Sequence, residues 1–200
     1  MAKTKVLVEG KHKKENDKIK IGSTVTLIKT DKNIIVDTGS FLDKDKIIAE
    51  LKKEKLTLED IDIVILTHLH LDHVINTYLF KNAKIYCKFK GNDYPGQLHI
   101  PLEGALQRIE INDNIEIAKD VKIILTPGHS DDMISVIVKT EQGVIVIAGD
   151  AISDESWADL KKQPDSFVIM NIEKYNETRK KILKIADYII PGHGKMFKVN

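Results

Sequence analysis

Apolar residues fall in short runs along the first half of the chain. Val6–Val8 and Thr24–Lys29 read as strands, and the stretch between them, Gly10 to Lys20, reads as a charged loop. Asn33 to Gly39 reads as a short buried strand ending at a turn. From about Asp43 to Lys55 the spacing becomes helical, with Asp43 as N-cap and Ile47, Ile48 and Leu51 facing inward. Ile61–Leu66 is another apolar strand, and it runs straight into Thr67-His-Leu-His-Leu-Asp-His73. A helix is expected from about Asp72 to Lys81. The strand Lys84–Phe89 follows, in which Ile85, Cys87 and Phe89 alternate with Tyr86, Lys88 and Lys90, so one face is apolar.

The second half has a similar grammar. Val121–Leu125 leads into Thr126-Pro-Gly-His129; Ser135–Val138 and Val144–Ala148 follow, and the latter opens into Gly149-Asp150. Asn171 caps a helix from about Ile172 to Ala186, with Ile172, Tyr175, Ile182 and Ala186 on one stripe. Tyr188–Ile190 then reaches Pro191-Gly-His193-Gly. The phrases Ile-Leu-Thr-His-Leu-His and Ile-Leu-Thr-Pro-Gly-His echo each other and hint at an old duplication. With no linker or solenoid period in the chain, the order of strands and helices predicts one α/β domain over 1–200, with two β-sheets sandwiched between helices.

Composition narrows the function classes. With 42% apolar and 30% charged residues the chain has the balance of a globular protein. No apolar run approaches the ~20 residues of a membrane span, so no membrane role is expected. The N-terminus carries no recognisable secretory signal, and a single cysteine excludes an internal disulfide; together these favour the cytoplasm. A net charge of +1 gives no global attraction to nucleic acid. Arg108 and Arg179 are the only arginines, so bidentate phosphate clamps are scarce.

The chemistry concentrates in His68, His70, Asp72 and His73. On an extended segment residues two apart face the same side, so His68 and His70 can reach one metal. The chain then turns into a helix, and Asp72 and His73 suit a second metal. Three imidazoles and a carboxylate packed without a cation would be mostly unsatisfied. His129, Asp150 and His193 each end an apolar strand beside a glycine, which lets the backbone turn sharply. The set holds imidazole and carboxylate and no thiolate, which suits zinc, manganese or iron rather than a structural cysteine-rich site.

The pattern His-x-His-x-Asp-His, followed by Gly-His, Gly-Asp and a C-terminal Gly-His, resembles the metallo-β-lactamase superfamily along the whole chain. The resemblance implies an αββα four-layer sandwich and a hydrolase with two Zn2+ ions per chain, Mn2+ or Fe2+ being alternatives. It implies that His68, His70 and His129 hold the first metal, that Asp72, His73 and His193 hold the second, and that Asp150 bridges them. Asp72 would also be catalytic, orienting the attacking water and accepting its proton. Gly22-Ser-Thr-Val-Thr-Leu27, Val36-Asp-Thr-Gly39, Asp72-His-Val-Ile-Asn76, Ala148-Gly-Asp150, Ser156-Trp157 and Pro191-Gly-His-Gly further resemble the short metallo-β-lactamase-domain-containing proteins of animals. Members of that group are considered ribonucleases acting on RNA 3′ ends. A phosphodiesterase or endoribonuclease is therefore the expected activity, on RNA or a small molecule. No stable protein partner is inferred, and the oligomeric state is open.

Departures from the family pattern sharpen this. Val74-Ile75-Asn76 stands where many members have Gly-Gly, so the start of the helix has its own shape. His70 stands where the flavin-diiron branch has Glu, and Asp150 where common dizinc lactamases have cysteine. A thioesterase like glyoxalase II is the first alternative, although the sequence ends soon after His193, without the helical region those enzymes carry. A mononuclear-iron enzyme like the persulfide dioxygenases is the second. Elsewhere, Cys87 reads as a small buried hydrophobe and Trp157 as a packing residue. His12 and His99 read as exposed loop residues, with a substrate contact as the sharper alternative, and Asp37 as a group holding the ligand loop from behind or capping its own turn. Lys11, Lys13 and Lys14 read as a solvated loop, or as a flap meeting an anionic substrate.

Overall fold

The computed structural model describes residues 1–16, 18–88, 108–164 and 168–199. Among these there are fourteen strands and three α-helices; twelve of the strands form two six-stranded sheets packed face to face, with helices on both outer faces. The first sheet has the order β1-β4-β5-β6-β7-β8, from β1 (Lys3–Val8), β4 (Val25–Lys29), β5 (Asn33–Val36), β6 (Ile63–Ile65), β7 (Lys84–Cys87) and β8 (Arg108–Glu110). The second has the order β14-β13-β12-β11-β10-β9, from β9 (Ile115–Ala118), β10 (Val121–Leu125), β11 (Ile134–Thr140), β12 (Gly143–Gly149), β13 (Tyr188–Pro191) and β14 (Phe197–Lys198). A separate hairpin is formed by β2 (Lys11–Glu15) and β3 (Lys18–Gly22).

The central strands are apolar without interruption because both of their faces are covered. Successive side chains leave a strand on opposite sides. In β5 and β6, Ile34, Val36, Ile63 and Ile65 point to the layer between the sheets, where they meet Ile123, Val136, Ile145 and Ile147. Ile35 and Val64 point outward to Ile47 and Leu51 of α1 (Lys44–Lys53). In β12 the inner Ile145 and Ile147 alternate with outer Val146 and Ala148, which pack on Ile182 of α3 (Ile172–Ile185). These layers make an αββα sandwich.

Several local expectations change. The segment read as a charged loop is the β2–β3 hairpin, paired Lys11↔Gly22, His12↔Ile21 and Lys13↔Lys20. Ile48 is not inward: it is 38% exposed, whereas Ile47 and Leu51 are buried. Asp43 sits at the N-cap of α1 but makes no capping bond; its Oδ2 accepts the Ser40 amide at 2.7 Å instead. The helix expected over 72–81 is α2 (Leu71–Val74) followed by a separate 3-10 turn, Thr77–Leu79. Between them Asn76 Nδ2 donates to the carbonyls of Thr38 and Ser40 at 2.8 and 2.7 Å, pulling the chain out of helical register. Asn171 does cap α3, its side chain accepting the Lys174 amide at 2.9 Å. Phe89, Lys90 and His99 lie outside the described residues.

Candidate metal centre

Sheet topology brings the candidate ligands to one edge of the sandwich. β5 and β6 run parallel; β12 and β13 run parallel; β10 and β12 are both antiparallel to β11 and so share a direction. Thr67 to His73 follow β6, His129 follows β10, Asp150 follows β12 and His193 follows β13. Backbone bonds tie the ends together: Ile134 N to Thr67 O at 2.8 Å, Ser23 N to Asp72 O at 3.2 Å and Thr24 N to Gly192 O at 2.7 Å. The Leu69 amide, between His68 and His70, donates to Asp132 Oδ2 at 2.9 Å. Glycine at 192 is required by close approach, because a Cβ there would overlap Asp150 Oδ1.

Two groups of donor atoms result. His68, His70, His129 and Asp150 form one, and Asp72, His73 and His193 the other; within each group the donor atoms lie within 4.8 Å of one another. His129 Nε2 is 3.2 Å from His70 Nδ1 and 3.5 Å from Asp150 Oδ2. Asp150 Oδ1, on the other side of the same carboxylate, is 3.3 Å from His193 Nε2 and 3.6 Å from His73 Nε2. Asp72 Oδ2 lies 3.8 Å from both His73 Nε2 and His193 Nε2. Asp150 thus faces both groups, one oxygen to each. The seven residues named from sequence meet in one place.

The arrangement behind the ligands aims their lone pairs into the cleft. Asp37 Oδ1 accepts the Thr67 amide, and its Oδ2 accepts the Thr67 hydroxyl, both at 2.8 Å. With its proton given to Asp37, Thr67 Oγ1 accepts from His68 Nδ1 at 3.1 Å, leaving His68 Nε2 as a lone pair. His73 Nδ1 donates to Asp37 Oδ2 at 2.8 Å and His193 Nδ1 to Gly22 O at 3.0 Å, with the same result at both Nε2 atoms. His68 Nε2, His73 Nε2, Asp72 Oδ2 and Asp150 Oδ1 are buried with no hydrogen-bond partner. Each such atom costs about 1–3 kcal/mol if left so. Cations between the two groups would satisfy all four, and the imidazole–carboxylate donor set fits divalent metal.

Electrostatics divide the groups. Burial, reinforced by neighbouring imidazoles, holds His68 well below the ordinary histidine range, and burial likewise lowers His129. Both are neutral and ready to coordinate. Burial also opposes charge on His73, but the carboxylates of Asp37, Asp150 and Asp72 outweigh it and raise His73 to about 9. His193 is raised for the same reason, through Asp150. Asp150 is buried, yet the surrounding histidines, His73 foremost, hold its carboxyl well below the carboxylate range. The second group therefore attracts positive charge and binds protons when no metal supplies it.

Other residues singled out from sequence fall as follows. Cys87 is buried at 2% exposure. Trp157 packs against the α3 side of the second sheet, with Lys162 Nζ 3.8 Å above its ring. Lys11 and Lys13 are exposed on the hairpin. His12 is exposed too, but its ring lies 5.7 Å from that of His193, a proximity that sequence reasoning missed. Its only sequence signal was position: a histidine in a lysine-rich stretch shortly before a buried strand.

The family model described as Metallo-beta-lactamase superfamily matches residues 20–193. The Metallo-beta-lactamase domain-containing protein 1 of Xenopus laevis is 31% identical over 97% of this chain and 80% of its own length. The human protein of that name is 28% identical over 83% of this chain, and the chain spans 59% of it. A Methanocaldococcus jannaschii protein named "Probable metallo-hydrolase" is 38% identical over 80% of this chain and 70% of its own length. Among solved structures, a metallo-beta-lactamase-type protein of Thermotoga maritima superposes with a TM-score of 0.79 at 23% identity, covering 98% of this chain and 99% of its own. An N-acyl homoserine lactone hydrolase superposes at 0.70 with 20% identity over 96% of this chain and 92% of its own, a likeness of fold. On the fold, the matched family model and the clustered histidines and aspartates, the chain belongs to the metallo-β-lactamase superfamily of metal-dependent hydrolases.

Proposed function

We propose that the chain is a dinuclear zinc hydrolase acting on phosphodiesters, with RNA as the substrate class. In this reading His68, His70 and His129 hold one ion, Asp72, His73 and His193 the other, and Asp150 is shared. The observation that carries it is the set of four buried, partnerless donor atoms converging from both sheets: His68 Nε2, His73 Nε2, Asp72 Oδ2 and Asp150 Oδ1.

When bound, such an ion pair supplies Lewis acidity and makes nucleophilic water available near neutral pH. The chain's own residues do the rest. Asp150 fixes the distance between the two donor groups, since its oxygens face one each. The Asp72 side chain is 15% exposed against 9% for Asp150, so it is the carboxylate that the cleft can reach. Asp72 accordingly takes the proton from the attacking water and orients its remaining lone pairs. Asp37 and Gly22 hold His73 and His193 in the tautomer that keeps Nε2 free.

The phosphodiester reading is supported by the similarity to the animal group and by Lys11, Lys13 and Lys20, exposed on a hairpin whose base is bonded to the His193 loop. Exposed lysines beside a cationic centre favour a polyanion. A second reading, an acyl thioester, is favoured by apolar surface at the rim. Leu71, between His70 and Asp72, is 57% exposed, and Met170, whose amide bonds the His129 carbonyl, is 71% exposed. One panel separates them: labelled single-stranded RNA, bis(p-nitrophenyl) phosphate, an S-acylglutathione and a chromogenic lactam, at fixed low salt, with metal content measured alongside. Cleavage of RNA and the simple diester by protein holding two zinc ions is expected. A preference for the thioester of about a hundredfold or more, roughly 2.7 kcal/mol of barrier, overturns the phosphodiester reading. RNA cleavage that persists in His68→Ala marks contamination.

A further inference from the structure

We propose that His12 is a substrate-contact residue of this centre, its imidazole donating a hydrogen bond to an oxyanion of the bound substrate. The inference rests on the two-metal hydrolase reading and adds a residue from outside the ligand set.

The observation is one of placement. His12 is an exposed histidine on the β2–β3 hairpin, and its ring centroid lies 5.7 Å from that of His193, tilted by 55°. His193 is the residue whose Nε2 faces both carboxylates, Asp72 and Asp150. Among the described residues the His12 ring makes no hydrogen bond. The exposed His12 ring therefore has its hydrogen-bonding capacity available beside the ring of His193.

The hairpin is anchored at its base to the ligand loops. His12 pairs with Ile21, one step from the Lys11↔Gly22 pair at the base of the hairpin. Gly22 O accepts His193 Nδ1, Ser23 N donates to Asp72 O, and Thr24 N donates to Gly192 O. On the other strand the Gly10 amide donates to Thr24 Oγ1 at 3.2 Å. A Cβ at Gly10 would meet Thr24 N at 2.5 Å and Gly192 O at 2.7 Å, so the two strands enter the hairpin pressed against the ligand loop. His12 is two residues beyond Gly10 and so lies close to these anchoring contacts.

The chemistry suits an oxyanion. An imidazole has an N–H to donate in either protonation state, so the contact does not depend on titration. Under the phosphodiester reading the acceptor is a phosphoryl oxygen.

The test uses full-length, zinc-reconstituted protein with His12→Ala and His12→Gln, and inorganic phosphate as the probe. Metal per chain, phosphate affinity by calorimetry, and kcat and KM on bis(p-nitrophenyl) phosphate are measured for each. Metal content should match the parent, while His12→Ala should bind phosphate about tenfold more weakly, the effect of one hydrogen bond to a charged group. His12→Gln, whose amide still donates, should recover most of that affinity, and the variants' kcat/KM values should follow the same order. A phosphate affinity for His12→Ala within about threefold of the parent overturns the proposal. So does loss of metal in His12→Ala, which would make the residue a ligand, and so does a zinc-loaded parent that binds no phosphate. If the parent binds phosphate but cleaves no phosphodiester, the substrate reading fails by itself, and the phosphate affinities still decide the role of His12.

Discussion

Asp37 Oδ2 stands 2.8 Å from His73 Nδ1 while it also accepts the Thr67 hydroxyl, so one buried carboxylate orients a candidate ligand of each group. Asp37 is 2% exposed, with φ at +56°, a conformation that aspartate and asparagine tolerate better than most residues. Asp37→Asn should therefore fold, but His73 loses its charged acceptor. Affinity for the second metal should fall by about 10–100-fold, measured by competition with a chromophoric chelator. An affinity equal to the parent's would show that the His73 tautomer is set by something else.

Asp72→Ala should lose turnover and keep its fold. The residue lies in the first turn of α2, and its Oδ2 accepts no hydrogen bond; what is lost with it in the metal-free chain is attraction to His73 and His193 at 3.8 Å. The metal-free variant should still melt cooperatively, at a modestly lower temperature than the parent because His73 and His193 lose a nearby carboxylate, while kcat/KM drops far more than tenfold. A loss under about tenfold, ~1.4 kcal/mol of barrier, contradicts the proton-accepting role. His68→Ala should lose activity together with metal.

Metal loading should release protons. In the metal-free chain His73 titrates near 9, so at pH 7.5 it carries a proton that a cation must displace. Calorimetric zinc titrations in buffers of different ionisation enthalpy should report at least one proton released per chain, and zinc affinity should weaken as pH falls. The same group sets a stability trend. A raised folded pKa contributes stability that is full below the unfolded value of 6.5 and is lost as pH rises through about 9. Metal-free protein should thus lose melting temperature over that interval, and zinc-loaded protein should lose less.

Gly192→Ala tests the shared carboxylate without touching a ligand. The added methyl would occupy the space of Asp150 Oδ1, so either the carboxylate or the His193 loop must move. The expected outcome is folded protein with less than the parent's metal content and activity reduced at least as much. Full metal content with parental activity would mean that the loop has slack.

How much of this was legible in the sequence depends on where the determining contact lies. The His68–His73 cluster is written within six consecutive residues, and the alternation of an extended segment says which side each faces. His129, Asp150 and His193 could be named because each follows an apolar run and a glycine. The hairpin was missed although Ile19 and Ile21 alternate with Lys18 and Lys20, because the strand opposite, Lys11–Glu15, carries no apolar residue. Its strands are specified by pairing with each other and by bonds from Gly10, Gly22, Ser23 and Thr24 to distant loops. The short α2 was illegible for a similar reason: residues 71–81 contain no glycine or proline to mark its end, and Asn76 ends the helix by reaching the 38–40 turn. Asp37 could be read as a support of the ligand loop or as a cap of its own turn, but not which ligands it orients, since its partners are 30 and 36 residues away.

The candidate ligands are divided between the two sheets: His68, His70, Asp72 and His73 leave the first, and His129, Asp150 and His193 leave the second. A bound ion would thus act as a rivet across the seam of the sandwich. Either half can peel away only after coordination bonds break, so the escape rate of the metal becomes the lifetime of the folded chain. Chelation should then shorten survival in a protease before it lowers the equilibrium content of secondary structure.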